Sequence, residues 1–215
     1  MRLQILETQN VLPSDWGDGF LFVANSLALD FLNTRPVQNG TPVELLSDFK
    51  ALVRWFQAAG LVGSREARDL AGKWAESAKA RRVVEQIQEF REQVRGEVLW
   101  WEDGNTPHQE VIEQINALLW GHPMRSKLKL TGPNVSIQNW FPIDTPEDLL
   151  APLSQSAANL FALAERRRVH KCANADCVLH FRDTSKKGTR RWCSMRSCGN
   201  RQKVAAYAAR KRQHD

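Results

Sequence analysis

Apolar residues recur at helical spacing along most of the first 164 positions. Asn25 to Thr34 (NSLALDFLNT) reads as a short helix that ends before Pro36. Thr41-Pro42-Val43-Glu44 has the form of a capping box with proline at the first helical position. It predicts a helix carrying Leu45, Leu46, Phe49, Leu52, Val53 and Phe56, stopped at Gly60. Ser64 opens the next helical stretch, with a break near Ala78 and an end at Trp101. Its later half sets Val83, Ile87, Phe90, Val94, Val98 and Trp101 on one face, the pattern of a core face. Thr106-Pro107 opens another helix through Val111, Ile115, Leu118 and Leu119, closed by Gly121 and Pro123. The period then changes. Leu128 and Leu130 alternate with lysines, Thr131-Gly132-Pro133-Asn134 is turn chemistry, and Val135 and Ile137 follow among polar neighbours, which predicts a β-hairpin. Pro146 begins a last helix through Leu149, Leu153, Leu160, Phe161 and Leu163, running into Glu165-Arg166-Arg167-Arg168.

Composition narrows the class. The chain has 215 residues, 42% hydrophobic and 25% charged, which excludes wholesale disorder. No apolar run approaches the roughly 18–20 residues that a membrane helix needs. Met1 to Asn10 lacks the apolar stretch of a secretory signal. The expectation is a cytoplasmic protein without membrane partners, whose cysteines are not paired as disulfides.

Charge divides the chain. Residues 1–164 hold 15 Lys/Arg and 20 Asp/Glu, whereas residues 165–215 hold 15 and 4. All four cysteines lie in the basic part, and seven of the eight tryptophans precede residue 141. The simplest division is a helical body, residues 1–168, and a small basic module, residues 169–215.

Cys172-x4-Cys177 and Cys193-x4-Cys198, with 15 residues between the pairs, are the layout of a four-cysteine zinc site. Zinc takes four ligands in a tetrahedron, and two pairs held in tight turns supply two thiolates from each side. The connecting residues suggest a strand over Val178–Phe181, a turn over Thr184–Gly188 and a return strand over Thr189–Trp192. A helix capped by Ser194 or Asn200 follows, and Phe181, Trp192, Val204 and Tyr207 are the core available to so small a module. Four thiolates close the shell, so the zinc is structural. His170 and His180 read as surface or supporting imidazoles. The fold class expected is therefore mainly α: a helical body with one β-hairpin, then a zinc finger built of a β-hairpin and a helix.

Cys172-Ala-Asn-Ala-Asp-Cys177, Phe181-Arg-Asp183 and Arg191-Trp-Cys193-Ser-Met-Arg-Ser-Cys198-Gly-Asn-Arg201-Gln-Lys203 together resemble the CGNR zinc finger. Leu27-Ala-Leu-Asp30-Phe-Leu-Asn33-Thr34 is similar to the motif that opens the helical ABATE-type domain accompanying that finger in bacterial stress-induced transcription regulators. The resemblance implies a zinc-dependent DNA-binding carboxy-terminus preceded by a helical domain whose role it leaves open; in a regulator that domain is expected to sense an effector or mediate assembly.

The basic residues give that implication a physical footing, because clustered Lys and Arg gain affinity for phosphate backbones by counterion release. Lys186, Lys187, Arg190 and Arg191 fall on the expected hairpin, and Arg196, Arg201, Lys203 and Arg210 on or near the helix. Arg191, Arg201 and Lys203 also suit compensation of the thiolate charge. Few large rings accompany them, which favours duplex DNA over RNA, the alternative partner. In the body, Asp30 and Asn33 stand three apart among apolar residues. They read either as polar groups of an effector pocket or as a pair tying the helix to a neighbouring loop. No phosphate loop, Ser/His/Asp series or nucleophile–base pair marks an enzyme, so an enzyme with a pocket in the body and a structural finger ranks behind both the DNA and the RNA reading. No heptad seam settles the oligomeric state.

Overall fold

The computed structural model describes residues 2–4 and 16–212; most of Met1–Asn10 lies outside them. Strand β1 (Arg2–Gln4) is followed by the two-strand ladder β2 (Trp16–Gly17) and β3 (Phe20–Leu21). Helix α1 (Leu27–Leu32) has only six residues, too short to persist alone. It is held because Ala28, Leu29, Asp30, Phe31 and Leu32 are all buried. Strands β4 (Val37–Gln38) and β5 (Thr41–Pro42) pair around Asn39-Gly40, both at positive φ (50° and 81°). Asn-Gly is the preferred pair for this tight hairpin turn, and it overrides the capping box expected at Thr41–Glu44. Helix α2 (Phe49–Ala58) starts seven residues later, where the Asp48 side chain accepts from the Ala51 amide.

Helices α3 (Ser64–Trp74), α4 (Ala78–Glu102) and α5 (Gln109–Gly121) follow, the last beginning two residues beyond Pro107. The expected stripe of α4 is buried from Val83 to Trp101. The core centres on aromatic contacts: Phe31 meets Trp55 at 5.9 Å and Phe90 at 6.3 Å, and Trp55 meets Phe56 edge-on at 5.5 Å. Strands β6 (Arg125–Thr131) and β7 (Asn134–Pro142) form the expected hairpin, and β1 adds to β7 with Leu3 opposite Phe141. Helix α6 (Leu150–Leu163) enters through a 3-10 turn over Pro146–Leu149, closed by a Thr145–Asp148 capping box.

Arg91 of α4 is 1% exposed. Its guanidinium donates to Glu44 and Glu92 and to Thr34 Oγ1. Burial opposes its charge, but the two carboxylates outweigh burial and hold its pKa above the ordinary arginine value.

Strands β8 (Val169–Lys171) and β9 (His180–Arg182) pair with each other, and α7 (Asn200–Arg212) ends the described chain. The hairpin of the module therefore closes around the first cysteine pair. Residues 189–192, expected as a return strand, are not a strand. No described helix is long and apolar enough to cross a membrane.

Candidate metal centre and nucleic-acid interface

The four cysteine sulfurs lie within 4.8 Å of one another, and the Cys177 and Cys193 sulfurs are 3.8 Å apart. Zn–S bonds of roughly 2.3 Å in a tetrahedron require sulfurs about 3.8 Å apart, so the cluster fits zinc with at most a small closing of the wider pairs. The backbone converges as metal knuckles do: the Cys193 amide donates to the Cys172 sulfur at 3.4 Å. Asn174, 1% exposed, donates to the Cys198 sulfur at 3.6 Å and accepts from Gln202 Nε2 at 3.1 Å. This side chain joins the first pair to the second pair and to α7.

The thiols are electrostatically linked. Hydrogen bonds from Cys177 and Cys193 pull the Cys172 thiol down to about 2. Cys177 is pushed up to about 12, chiefly by its hydrogen bond to Cys172. The Cys193 thiol is raised too, by Cys172 first and Cys177 second. Without metal, one thiolate is stabilised by protons on its neighbours. Zinc replaces those protons, and the site holds one structural zinc.

Ser194 caps the turn over Met195–Gly199, its hydroxyl accepting from the Arg196 and Ser197 amides. A Cβ at Gly199 would lie 2.8 Å from Met195 Sδ and 3.2 Å from Trp192 Cδ1. The close contact is with side chains, Met195 among them half exposed, and the backbone angle is an ordinary one.

The zinc module rests on α1. Asn33 Nδ2 donates to the His180 carbonyl at 2.9 Å, and the His180 amide donates to Asn33 Oδ1 at 3.0 Å. The Arg182 amide donates to the Ala24 carbonyl at 2.7 Å, and Asn25 Nδ2 donates to the Arg182 carbonyl at 3.2 Å. Asp30 Oδ1 accepts from the Val23 and Ala24 amides at 3.0 and 2.9 Å. Burial is the main cause that raises the Asp30 pKa to about 7, against those two hydrogen bonds and the nearby Arg190 charge. The polar pair thus ties α1 to its neighbours: Asp30 holds the preceding loop, and Asn33 holds β9. An open surface depression lies among Arg35, Glu44, Gln88, Glu89, Arg91, Glu92 and Gln93.

His180 is buried with its Nε2 3.3 Å from Glu102 Oε2 of α4. His170 is half-buried against the Phe181 ring. Neither histidine belongs to the sulfur cluster.

The basic residues divide in two. Arg190 is turned inward. Its guanidinium donates to the carbonyls of Trp192, Val23 and Cys193 and lies 4.2 Å from the Phe181 ring centroid. Its place is therefore at the junction with the body and not with the surface cations, and nothing local in the sequence marks that difference. Asp183 shapes the same loop, accepting from the Ser185 and Arg190 amides at 2.8 Å. Burial disfavours its charge, yet those bonds hold its carboxyl below the usual range.

Lys186, Lys187, Arg191, Arg196, Arg201, Lys203 and Arg210 are exposed. So are Val204 and Tyr207, at 67% and 65%, contrary to the expectation that they would pack inward. Helix α7 leaves the zinc turn and packs little of its length, so it has no inward face for them to occupy.

Two family models match the chain. The CGNR zinc finger covers residues 168–211, and ABATE, described as "Putative stress-induced transcription regulator", covers residues 25–175. None of the curated proteins matches it. The two matches overlap on β8 and the first cysteine, where the body meets the metal centre. With most of its length matched and its four cysteines gathered as a zinc ligand set, the chain belongs to the ABATE family and carries a CGNR zinc finger.

Proposed function

We propose that the chain is a DNA-binding transcription regulator, with residues 169–215 as the binding module and residues 1–168 as the effector or assembly module. One observation carries the reading. Residues 184–212 contain ten Lys/Arg and no Asp/Glu, and they end in a helix whose described side chains are almost all exposed. A solvated helix without an apolar seat gains little from folding alone, but it has the dimensions to enter a major groove. Lys186, Lys187, Arg191, Arg196, Arg201, Lys203 and Arg210 meet phosphates or base edges in this reading. Asp30 and Asn33 serve it indirectly, by fixing the module on the body. The zinc is structural throughout, and the reducing cytoplasm keeps its thiols available.

The test is a salt titration of zinc-loaded full-length protein on duplex DNA. About five phosphate contacts give log K against log[salt] a slope of roughly −4.5. Lys186→Ala with Lys187→Ala should lower affinity and flatten the slope by about 2. Zinc-loaded protein that does not bind duplex DNA at low salt overturns the proposal. Exposed Tyr207 offers a ring on which an unpaired base could stack, so single-stranded RNA is the competitor to include. Stronger binding to that RNA would assign the module to RNA.

A further inference from the structure

The β6–β7 hairpin has two unlike faces. Directly paired residues share a face in an antiparallel ladder. One face carries the pairs Leu128–Ile137 and Leu130–Val135, and the other carries Lys127–Gln138 and Lys129–Ser136. The apolar face continues the row that begins with Leu3 and Phe141, both buried over the core. Beyond Asn139 the row has left the body. Leu128 is 74% exposed, Leu130 75%, Val135 61% and Ile137 50%. The sheet therefore extends its core-forming face past its own core.

We propose that this face is the contact between two copies of the chain, packed hairpin on hairpin across a twofold axis. The area is sufficient. The four side chains leave on the order of 500 Å² open, already at the upper end of what a monomer commonly displays. Trp120 and Met124, next to the hairpin root in the chain, are 87% and 42% exposed. Two copies meeting on the hairpin face alone would bury about 1,000 Å², the lower bound of a specific interface, before any share of these two residues is counted.

Charge selects both the occupant and the geometry. Residues 125–142 contain Arg125, Lys127 and Lys129 and no acid. The alternative self-contact, β6 edge on β6 edge, would set lysines of one copy against lysines of the other, an arrangement that disfavours edge pairing. Face-to-face packing avoids this. Leu128, Leu130, Val135 and Ile137 have no charge among them, so a second copy presents a matching uncharged surface, and every lysine turns outward. Helix α5, just before the hairpin, points the same way: of its 13 residues only Ile115 is buried, while Val111, Leu118 and Leu119 are partly covered. The inference is independent of the DNA-binding reading.

The test is the mass of the zinc-loaded full-length protein by light scattering and sedimentation across the micromolar range. The expected result is a dimer. Leu128→Glu with Leu130→Glu should give monomers whose zinc content and circular dichroism match the unsubstituted protein. Leu163→Glu, equally exposed but outside the hairpin, should remain dimeric. A monomeric unsubstituted protein at about 100 µM, a concentration at which contacts weaker than micromolar would already register, overturns the proposal. A dimer that survives the double substitution also overturns it, because the contact then lies elsewhere. Flotation with anionic phospholipid vesicles addresses the other occupant of an apolar face flanked by lysines. Binding by a monomer, lost on Leu128→Glu, would assign the face to lipid.

Discussion

Replacing Asn33 with alanine tests the junction between the body and the metal centre most directly. The side chain is 1% exposed and satisfies both the amide and the carbonyl of His180, at 3.0 and 2.9 Å. Alanine removes both partners and leaves two peptide groups buried. Each unsatisfied group costs about 1–3 kcal/mol, so the pair gives roughly 2–6 kcal/mol. That is a large share of the 5–15 kcal/mol typical of a folded domain. The loss should appear twice, as a lower midpoint in urea denaturation and as faster zinc extraction by a chromophoric chelator. An opening penalty smaller by only 1.4 kcal/mol speeds extraction about tenfold if opening limits it. Asn33→Asp keeps the acceptor for the His180 amide but turns a carboxylate oxygen toward the His180 carbonyl, so it should destabilise as well. Asn105→Ala, which removes an exposed bond to the Trp100 carbonyl, should stay within about 0.5 kcal/mol. If Asn33→Ala shifts stability by less than that and leaves zinc extraction unchanged, the pairing with β9 is not what holds the module.

Further substitutions probe separate links. Asp30, raised to about 7 in the folded chain from 3.8, binds its proton more tightly when folded. Its contribution is full below about pH 4 and is lost as pH rises through 7, a change of about 4 kcal/mol by linkage. Asp30→Asn should flatten that part of the pH–stability curve, and an unchanged slope would refute the assignment. Arg91→Ala should cost about 1–3 kcal/mol in urea denaturation, because it takes the partner from Thr34 and from the partly exposed Glu44, whereas Glu92 keeps Arg95. Gly199→Ala meets first the movable end of Met195, which is half exposed, so it should change stability by less than about 1 kcal/mol; a loss above about 2 kcal/mol would mean that Met195 and Trp192 cannot give way.

The metal centre was legible in the sequence because ligand geometry constrains spacing: four cysteines in two short pairs have few other arrangements. Helices α2 and α4 were legible because each buries a stripe, as α4 does from Val83 to Trp101, whereas α5, with only Ile115 buried, was legible from its proline start and glycine stop. The start of α2 was misplaced because two local signals compete over residues 39–44, and the Asn39-Gly40 turn prevails over the Thr41 capping box. Strand β9 pairs with β8 and not with residues 189–192 because Arg190 and Asp183 bind that loop into an irregular path. Asn33 could be singled out as a polar residue in an apolar helix, but its partner lies 147 residues away, beyond any local pattern. Val204 and Tyr207 were misjudged for a related reason. Apolar residues turn inward only where another element waits to receive them, and α7 projects from its neighbours.

The seat of β9 on α1 also bears on how this zinc finger can be moved between proteins. A fragment cut at residue 168 would retain every sulfur ligand and the Asn174 bridge. It would lose the acceptor of the Arg182 amide, both partners of the His180 peptide groups and the Val23 carbonyl that anchors Arg190. Strand β9 would then present bare peptide groups along one side, in a piece too small to bury them itself. Residues 23–33 thus behave as a detached first segment of the finger, separated from the rest by the helical body. A graft that carries the cysteines should carry that segment with them, and a chimera joined at residue 168 should need a host helix offering an asparagine at the position of Asn33.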